Sequence, residues 1–276
     1  EDEFAYLWQA KVMAAGRIAV PSPPEPESFF VPFVVDHNGL RFGKYPPGWP
    51  AALALGAAAG VPFWVNPLLA GLAVWLTYRL GQRLGGDLAG LLAGLLSATS
   101  PMLLMLSGSL MPHLLSLVLT VGWTLAWFEL FLQSPHANLQ GPRRSIRIAA
   151  AGGSLGLMIL TRPATALAVA IPFALHAVYL LVRFRRRFLR DLVAIGAAVL
   201  AVGVGAWWLR PGPLLTRSGS SELFYPPTTV YVITAVGFLL TSFGADRFAS
   251  ARALDPLRAL GESSLAMYLL HLVLIR

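Results

Sequence analysis

From residue 66 onward the chain is a succession of apolar runs divided by short loops that carry arginine. The runs occupy about 66–83, 88–107, 113–133, 146–161, 163–183, 191–209, 227–244 and 262–276. A helix needs about 20 predominantly apolar residues to cross a hydrocarbon layer. Only 12% of the residues are charged, against about 25% in a soluble domain, and 56% are hydrophobic. The pattern predicts an all-α, polytopic transmembrane helical bundle. Cysteine is absent, which excludes disulfides, thiolate metal sites and a cysteine nucleophile. The net charge of +8 is placed in the loops between apolar runs, as membrane orientation requires, so it is no nucleic-acid signal.

The first 65 residues differ from the rest. Residues 1–13 predict a short amphipathic helix with Asp2, Tyr6 and Gln9 on one face, ended by Gly16-Arg17. Residues 20–50 are rich in proline and aromatics, which excludes a regular helix and suits an ordered loop lying on a bilayer surface. Residues 51–61 are apolar but too short to span, and predict an interfacial helix. The expected organisation is an extended first outer loop with short interfacial helices (1–65), transmembrane helices (66–209) and a two-span C-terminal segment (210–276). Gly90, Gly94, Gly152, Gly153 and Gly156 suit close helix packing in lipid. The charged opening and the apolar end lead us to expect a fragment, with a transmembrane helix preceding Glu1.

Loop charges set the orientation. With residues 1–50 outside, one face receives Arg79, Arg83, Arg143, Arg144, Arg147, the run Arg183 to Arg190, Arg247, Arg252 and Arg258. The other receives Lys11, Arg17, Arg41, Lys44, Arg162, Arg210 and Arg217. The basic excess marks the first set as cytoplasmic. Glu1-Asp2-Glu3, Lys44, His113 and Arg162 then share the outer face.

Each of these has two readings. Asp2 and Glu3 suit a general base at a membrane surface, or a solvated helix start where acids favour the dipole. Lys44, in Lys44-Tyr45-Pro46-Pro47-Gly48, suits a rigid phosphate-binding loop, or a lysine reaching to head groups. Arg162, in Thr161-Arg162-Pro163, suits a phosphate partner, since arginine near hydrocarbon needs one, or a head-group contact. His113 suits donor binding or proton shuttling, or helix capping and packing. No set of histidines or acids has metal-ligand spacing. Trp64, Trp75, Trp207 and Trp208 read as an aromatic belt.

Taken together, Glu1-Asp2-Glu3, Tyr6-Leu7-Trp8-Gln9-Ala10, Gly16-Arg17, Lys44-Tyr45-Pro46-Pro47-Gly48-Trp49-Pro50, Asn66-Pro67-Leu68-Leu69, Ser100-Pro101 and Thr161-Arg162-Pro163 resemble membrane glycosyltransferases of the GT-C type. The resemblance covers about residues 1–208 and is nearest the bacterial protein-mannosyltransferase-like and aminoarabinose-transferase-like branch. It implies an acidic motif in the first outer loop after a first span, a polyprenyl-phosphate sugar donor, and transfer with inversion. It implies Asp2 as general base, Glu3 beside it or in its place, and Lys44 and Arg162 on the donor phosphate. Tyr6, Gln9, Tyr45 and His113 are the accompanying candidate substrate contacts. Gly43 stands where some relatives carry an acid. No cofactor is required, and a divalent metal is left open.

The tail resembles something else. Phe224-Tyr225-Pro226-Pro227-Thr228 and Leu260-Gly261-Glu262-Ser263-Ser264-Leu265-Ala266-Met267-Tyr268-Leu269-Leu270-His271 are similar to the last spans of multispan acyltransferase-like proteins related to heparan-glucosaminide acetyltransferase. Three functions follow as expectations. The first is a polyprenyl-phosphate-sugar-dependent glycosyltransferase acting on a lipid, protein or polymer acceptor at the outer face of a bacterial plasma membrane. The second is acyl transfer to envelope glycans through the tail and His271. The third is a non-catalytic scaffold or transporter, which is disfavoured by spans almost without charge apart from Glu129 and His271.

Overall fold

The computed structural model describes residues 1–132, 142–184 and 188–208. The expected spans at 227–244 and 262–276, the polar segment after Arg210, and His271 lie outside the described residues.

Eight α-helices are described: α1 Asp2–Ala14, α2 Gly48–Ala58, α3 Val65–Ala98, α4 Pro101–Ser107, α5 His113–Trp127, α6 Pro142–Thr161, α7 Pro163–Phe184 and α8 Leu189–Trp208. A π-helical turn, Phe128–Leu132, continues α5. Among the described residues two stretches are long and apolar enough to cross a membrane by length and composition, His113–Leu132 and Pro163–Phe184. The pair α3 and α4, bent by 56°, makes a third if counted as one span. Helices α6 and α8 form where spans are expected, but charges occupy their opening turns (Arg143, Arg144 and Arg147 in the first two turns of α6; Arg190 and Asp191 in the first turn of α8).

The all-α expectation needs one correction. Part of the proline-rich loop folds into a three-stranded antiparallel sheet of β1 Val20–Pro21, β2 Val34–His37 and β3 Leu40–Gly43, in the order β1-β3-β2. Its signal is Asn38-Gly39. Both residues take positive φ (50° and 74°), as a tight two-residue hairpin turn demands, and His37 pairs with Leu40 across it. Arg41 is buried, pairs with Asp36 at 3.5 Å and donates to the Phe29 carbonyl.

The runs at 66–83 and 88–107 form the arms of a hairpin. At Gly86 the backbone reaches φ 82°, ψ −174°, which a side chain would oppose, and the chain folds back. The arms meet through glycine: a Cβ at Gly90 would lie 2.8 Å from the Tyr78 carbonyl oxygen, and one at Gly94 3.2 Å from the Tyr78 Cβ. The second arm ends because Ser100, before Pro101, is extended (φ −63°, ψ 118°). Helices α6 and α8 touch in the same way. A Cβ at Gly152 would lie 2.4 Å from the Ala198 Cβ, and one at Gly156 2.8 Å from the Val202 Cβ. Gly153 has nothing within 4 Å and takes no part.

The helices alternate in direction, so the chain has two ends of different chemistry. At one, Glu129 of the π-turn receives Arg83 at 3.1 Å and Arg147 at 2.7 Å, and Arg144 pairs with Asp191. This joins α3, α5, α6 and α8. The Glu129 charge, awkward in an apolar run, is thereby matched by two cations. Between the ends lies an aromatic core of Trp123, Trp127, Phe131 and Phe188 with Leu180 and Ile195. At the other end, α1, α2 and the start of α5 close around Tyr6, Ala10, Trp49, Leu53 and Leu110.

Candidate active site

The second end is organised by three residues that belong to no helix. Ser109, Leu110 and Met111 link α4 to α5, so their backbone groups need partners from elsewhere. Glu3 Oε1 accepts the Leu110 N–H at 2.9 Å. Trp49 Nε1 donates to the Leu110 carbonyl at 2.8 Å. Asn66 Nδ2 donates to the Ser109 and Met111 carbonyls at 2.6 and 3.0 Å. Helices α1, α2 and α3 therefore each send one side chain to the linker. Trp49 and Asn66 are almost fully buried. Sequence reasoning gave neither a role. A polar Asn66 at the head of an apolar run was the available signal.

Several of the predicted residues lie around this hub. Asp2 and Glu3 open α1, both half-buried. Glu3 reaches Leu110, whereas Asp2 acts electrostatically on Lys44. Lys44 follows β3, and its N–H donates to the Phe33 carbonyl at 2.9 Å. Its ammonium lies 5.4 Å from the centroid of the Phe33 ring. Phe33 holds φ 63°, an uncommon conformation for a bulky residue, directly at this contact. Loss of hydration pulls the Lys44 pKa below its ordinary value, and the Asp2 charge opposes that by favouring the cation.

Tyr6 stacks on Tyr45 with centroids 4.6 Å apart and planes at 29°, and Phe33 leans on Tyr45 at 5.6 Å. These rings join α1 to the Lys44 loop. Gln9 is placed differently. Its Nε2 donates to the Ile18 carbonyl at 2.8 Å and its Oε1 accepts the Gly43 N–H at 2.6 Å, so both ends of the amide brace the loop. A Cβ at Gly43 would lie 3.1 Å from that Oε1, so a side chain there would crowd the Gln9 brace.

Arg162 sits at the break between α6 and α7, half-buried, its N–H donating to the Met158 carbonyl at 2.7 Å. The start of α2 presses on this corner. A Cβ at Gly48 would lie 2.8 Å from the carbonyl carbon and oxygen of Leu160 and from Thr161 Oγ1. The loop that bears Lys44 thus ends against the turn that bears Arg162. His113 begins α5 two residues beyond Met111, half-buried. The structure brings Asp2, Lys44, Tyr6 and Tyr45 into one cluster and sets the Arg162 and His113 helix ends beside its supports. Among the described residues no group of three or more His, Asp or Glu side chains gathers as a metal site would need.

A helical protein with spans of membrane length, ion pairs at one end and Asp2, Glu3, Lys44 and the Arg162 turn at the other has the construction of a membrane-embedded enzyme. Residues 56–274 match the family model for the N-terminal part of the oligosaccharyl transferase STT3, and the chain belongs to that family. It is therefore a membrane glycosyltransferase of the GT-C type. No curated protein and no solved structure matches the chain. The matched stretch includes His113 and Arg162 and runs on through the tail likened above to acyltransferase-like proteins. Asp2, Glu3, Tyr6, Gln9, Lys44 and Tyr45 precede it.

Proposed function

We propose that this glycosyltransferase moves a sugar from a polyprenyl-phosphate donor to a hydroxyl of a membrane or envelope acceptor, inverting the anomeric centre. The observation that carries the reading is the placement of Asp2 and Lys44, near enough for the Asp2 charge to favour the Lys44 cation, on two elements braced together by Gln9 and by the Tyr6–Tyr45 stack, beside the Arg162 corner. Asp2 takes the proton of the acceptor hydroxyl. The freed oxygen attacks the anomeric carbon from the face opposite the phosphate. The bond from that carbon to the phosphate oxygen breaks, and its electron pair leaves with the phosphate. Lys44 and Arg162 take up the developing charge, so no general acid is needed. Tyr45, backed by the buried Tyr6 ring, offers an aromatic face to the sugar, and His113 stands near the hub as a further polar contact.

The reading places the described helices within a polytopic bundle of a bacterial plasma membrane. The end with Arg83, Arg144 and Arg147 faces the cytoplasm and the Asp2 end faces outward, in keeping with the basic excess. The family favours a second donor and acceptor: an oligosaccharide on a lipid carrier, passed to protein.

The test is sugar transfer by the full chain in nanodiscs, with labelled polyprenyl-phosphate sugars and lipid-linked oligosaccharide supplied in parallel. Asp2→Asn removes the base and is expected to slow transfer by about 10²–10⁴-fold with folding intact. Wild-type rates in Asp2→Asn would refute the assignment. Transfer from the oligosaccharide alone would move the donor to the second reading.

A further inference from the structure

Two adjacent acids open α1, and on sequence either suits the base. Their surroundings separate them. Glu3 is bonded to Leu110, 107 positions further along the chain, at 2.9 Å. The Leu110 carbonyl is held by Trp49, and the carbonyls on either side by Asn66. Neither backbone group of Leu110 has a helix or sheet partner to fall back on, and a buried N–H left unpaired is costly. Among the described residues, Glu3 is the one first-turn side chain of α1 seen hydrogen-bonded to the linker. Consecutive residues of a helix point about 100° apart around its axis. Holding Glu3 on Leu110 consequently fixes the direction in which Asp2 points.

We infer that Glu3 is a positioning residue: by accepting the Leu110 amide proton, it sets the rotation of the first turn of α1 and turns Asp2 toward Lys44. The link to catalysis rests on the transfer reading above. The placement itself does not. Asp2 favours the Lys44 cation, so a turn that carries Asp2 away leaves more of Lys44 as free amine.

The experiment compares Glu3→Gln, Glu3→Ala and Asp2→Asn in the full chain in nanodiscs, by two readouts. Glutamine keeps an oxygen that accepts the amide proton but cannot act as base. Glu3→Gln is expected to transfer sugar within about threefold of wild type, whereas Glu3→Ala loses about tenfold or more through misplacement of Asp2. The second readout is acylation of Lys44 by an amine-reactive ester, followed by mass spectrometry. Lys11, the other lysine of the chain, is the internal reference. Glu3→Ala and Asp2→Asn are both expected to speed Lys44 labelling relative to Lys11, because each removes the Asp2 charge from the Lys44 cation. Glu3→Gln leaves it unchanged. Glu3→Gln as inactive as Asp2→Asn, or Lys44 labelling unaltered in Glu3→Ala, would overturn the inference. If Glu3→Ala fails to accumulate, Glu3→Gln decides: near wild-type values in both readouts support positioning, and loss of transfer refutes it. A fully active Asp2→Asn would sink the transfer reading, and Lys44 labelling would still decide the placement of Glu3.

Discussion

Replacing Gly48 by alanine tests whether the Lys44 loop really depends on the Arg162 corner. The new Cβ would stand 2.8 Å from three atoms, the Leu160 carbonyl carbon and oxygen and Thr161 Oγ1. Two of these are backbone atoms of α6 and cannot rotate aside. To reach 3.4 Å, the near limit of ordinary contact, the start of α2 must retreat by about 0.6 Å. Forced overpacking of this kind costs about 1–3 kcal/mol. The better helix propensity of alanine returns up to about 1 kcal/mol, leaving a net loss of roughly 0–3 kcal/mol. The functional cost is of similar size, since tenfold in rate is about 1.4 kcal/mol. A misplacement of about 1 Å can cost about 10²-fold in rate, so a retreat of this size is expected to cost about tenfold. The control is Gly71→Ala in α3, where nothing lies within 4 Å. Both variants are assayed for initial rate of sugar transfer, and for survival of the monodisperse peak on size exclusion after heating. Gly48→Ala with the rate and melting behaviour of Gly71→Ala would refute the contact.

Two other outcomes follow from named contacts. Lys44 has a lowered pKa, caused first by loss of hydration, so it loses its proton at a lower pH than an ordinary lysine. Donor affinity should therefore fall on the alkaline side as pH rises through that value. Lys44→Arg should hold affinity to higher pH, and identical alkaline limits in 1/KM would count against Lys44 as the phosphate ligand. In the α6–α8 contact, Gly152→Ala meets Ala198 at 2.4 Å and the Ile195 carbonyl oxygen at 3.0 Å, and should destabilise by about 1–3 kcal/mol. Gly153→Ala meets nothing within 4 Å and should be neutral or stabilising by up to about 1 kcal/mol. Equal melting of the two would remove the glycine contact from the account.

Periodicity and composition made most of the helices legible. Helices α5 and α7 lie close to the expected runs because long apolar segments leave the backbone little alternative. The break at Thr161-Arg162-Pro163 was legible because proline ends a helix before it. The hairpin at Asn38-Gly39 was overlooked in a segment whose prolines and aromatics drew the reading toward a surface loop. Its turn signal was there to be read. Glu129 stood out in the sequence as a charge in an apolar run. That Arg83 and Arg147 answer it was not, since they lie on α3 and α6.

The candidate site divides in the same way. Residue type and local order left two readings each for Asp2, Glu3, Lys44, His113 and Arg162, and the resemblance to GT-C enzymes gave them roles and brought in Tyr6, Gln9 and Tyr45. Sequence could not separate the parts of Asp2 and Glu3, which are neighbours of equal chemistry. It could not see that both ends of the Gln9 amide are engaged in bracing. It gave no part to Trp49 or Asn66. These distinctions rest on hydrogen bonds to residues 109–111, far along the chain from Glu3, Trp49 and Asn66. Local sequence determines which groups can donate, accept or carry charge. Only the packing of α1, α2 and α3 around one short linker decides which partner each of them meets.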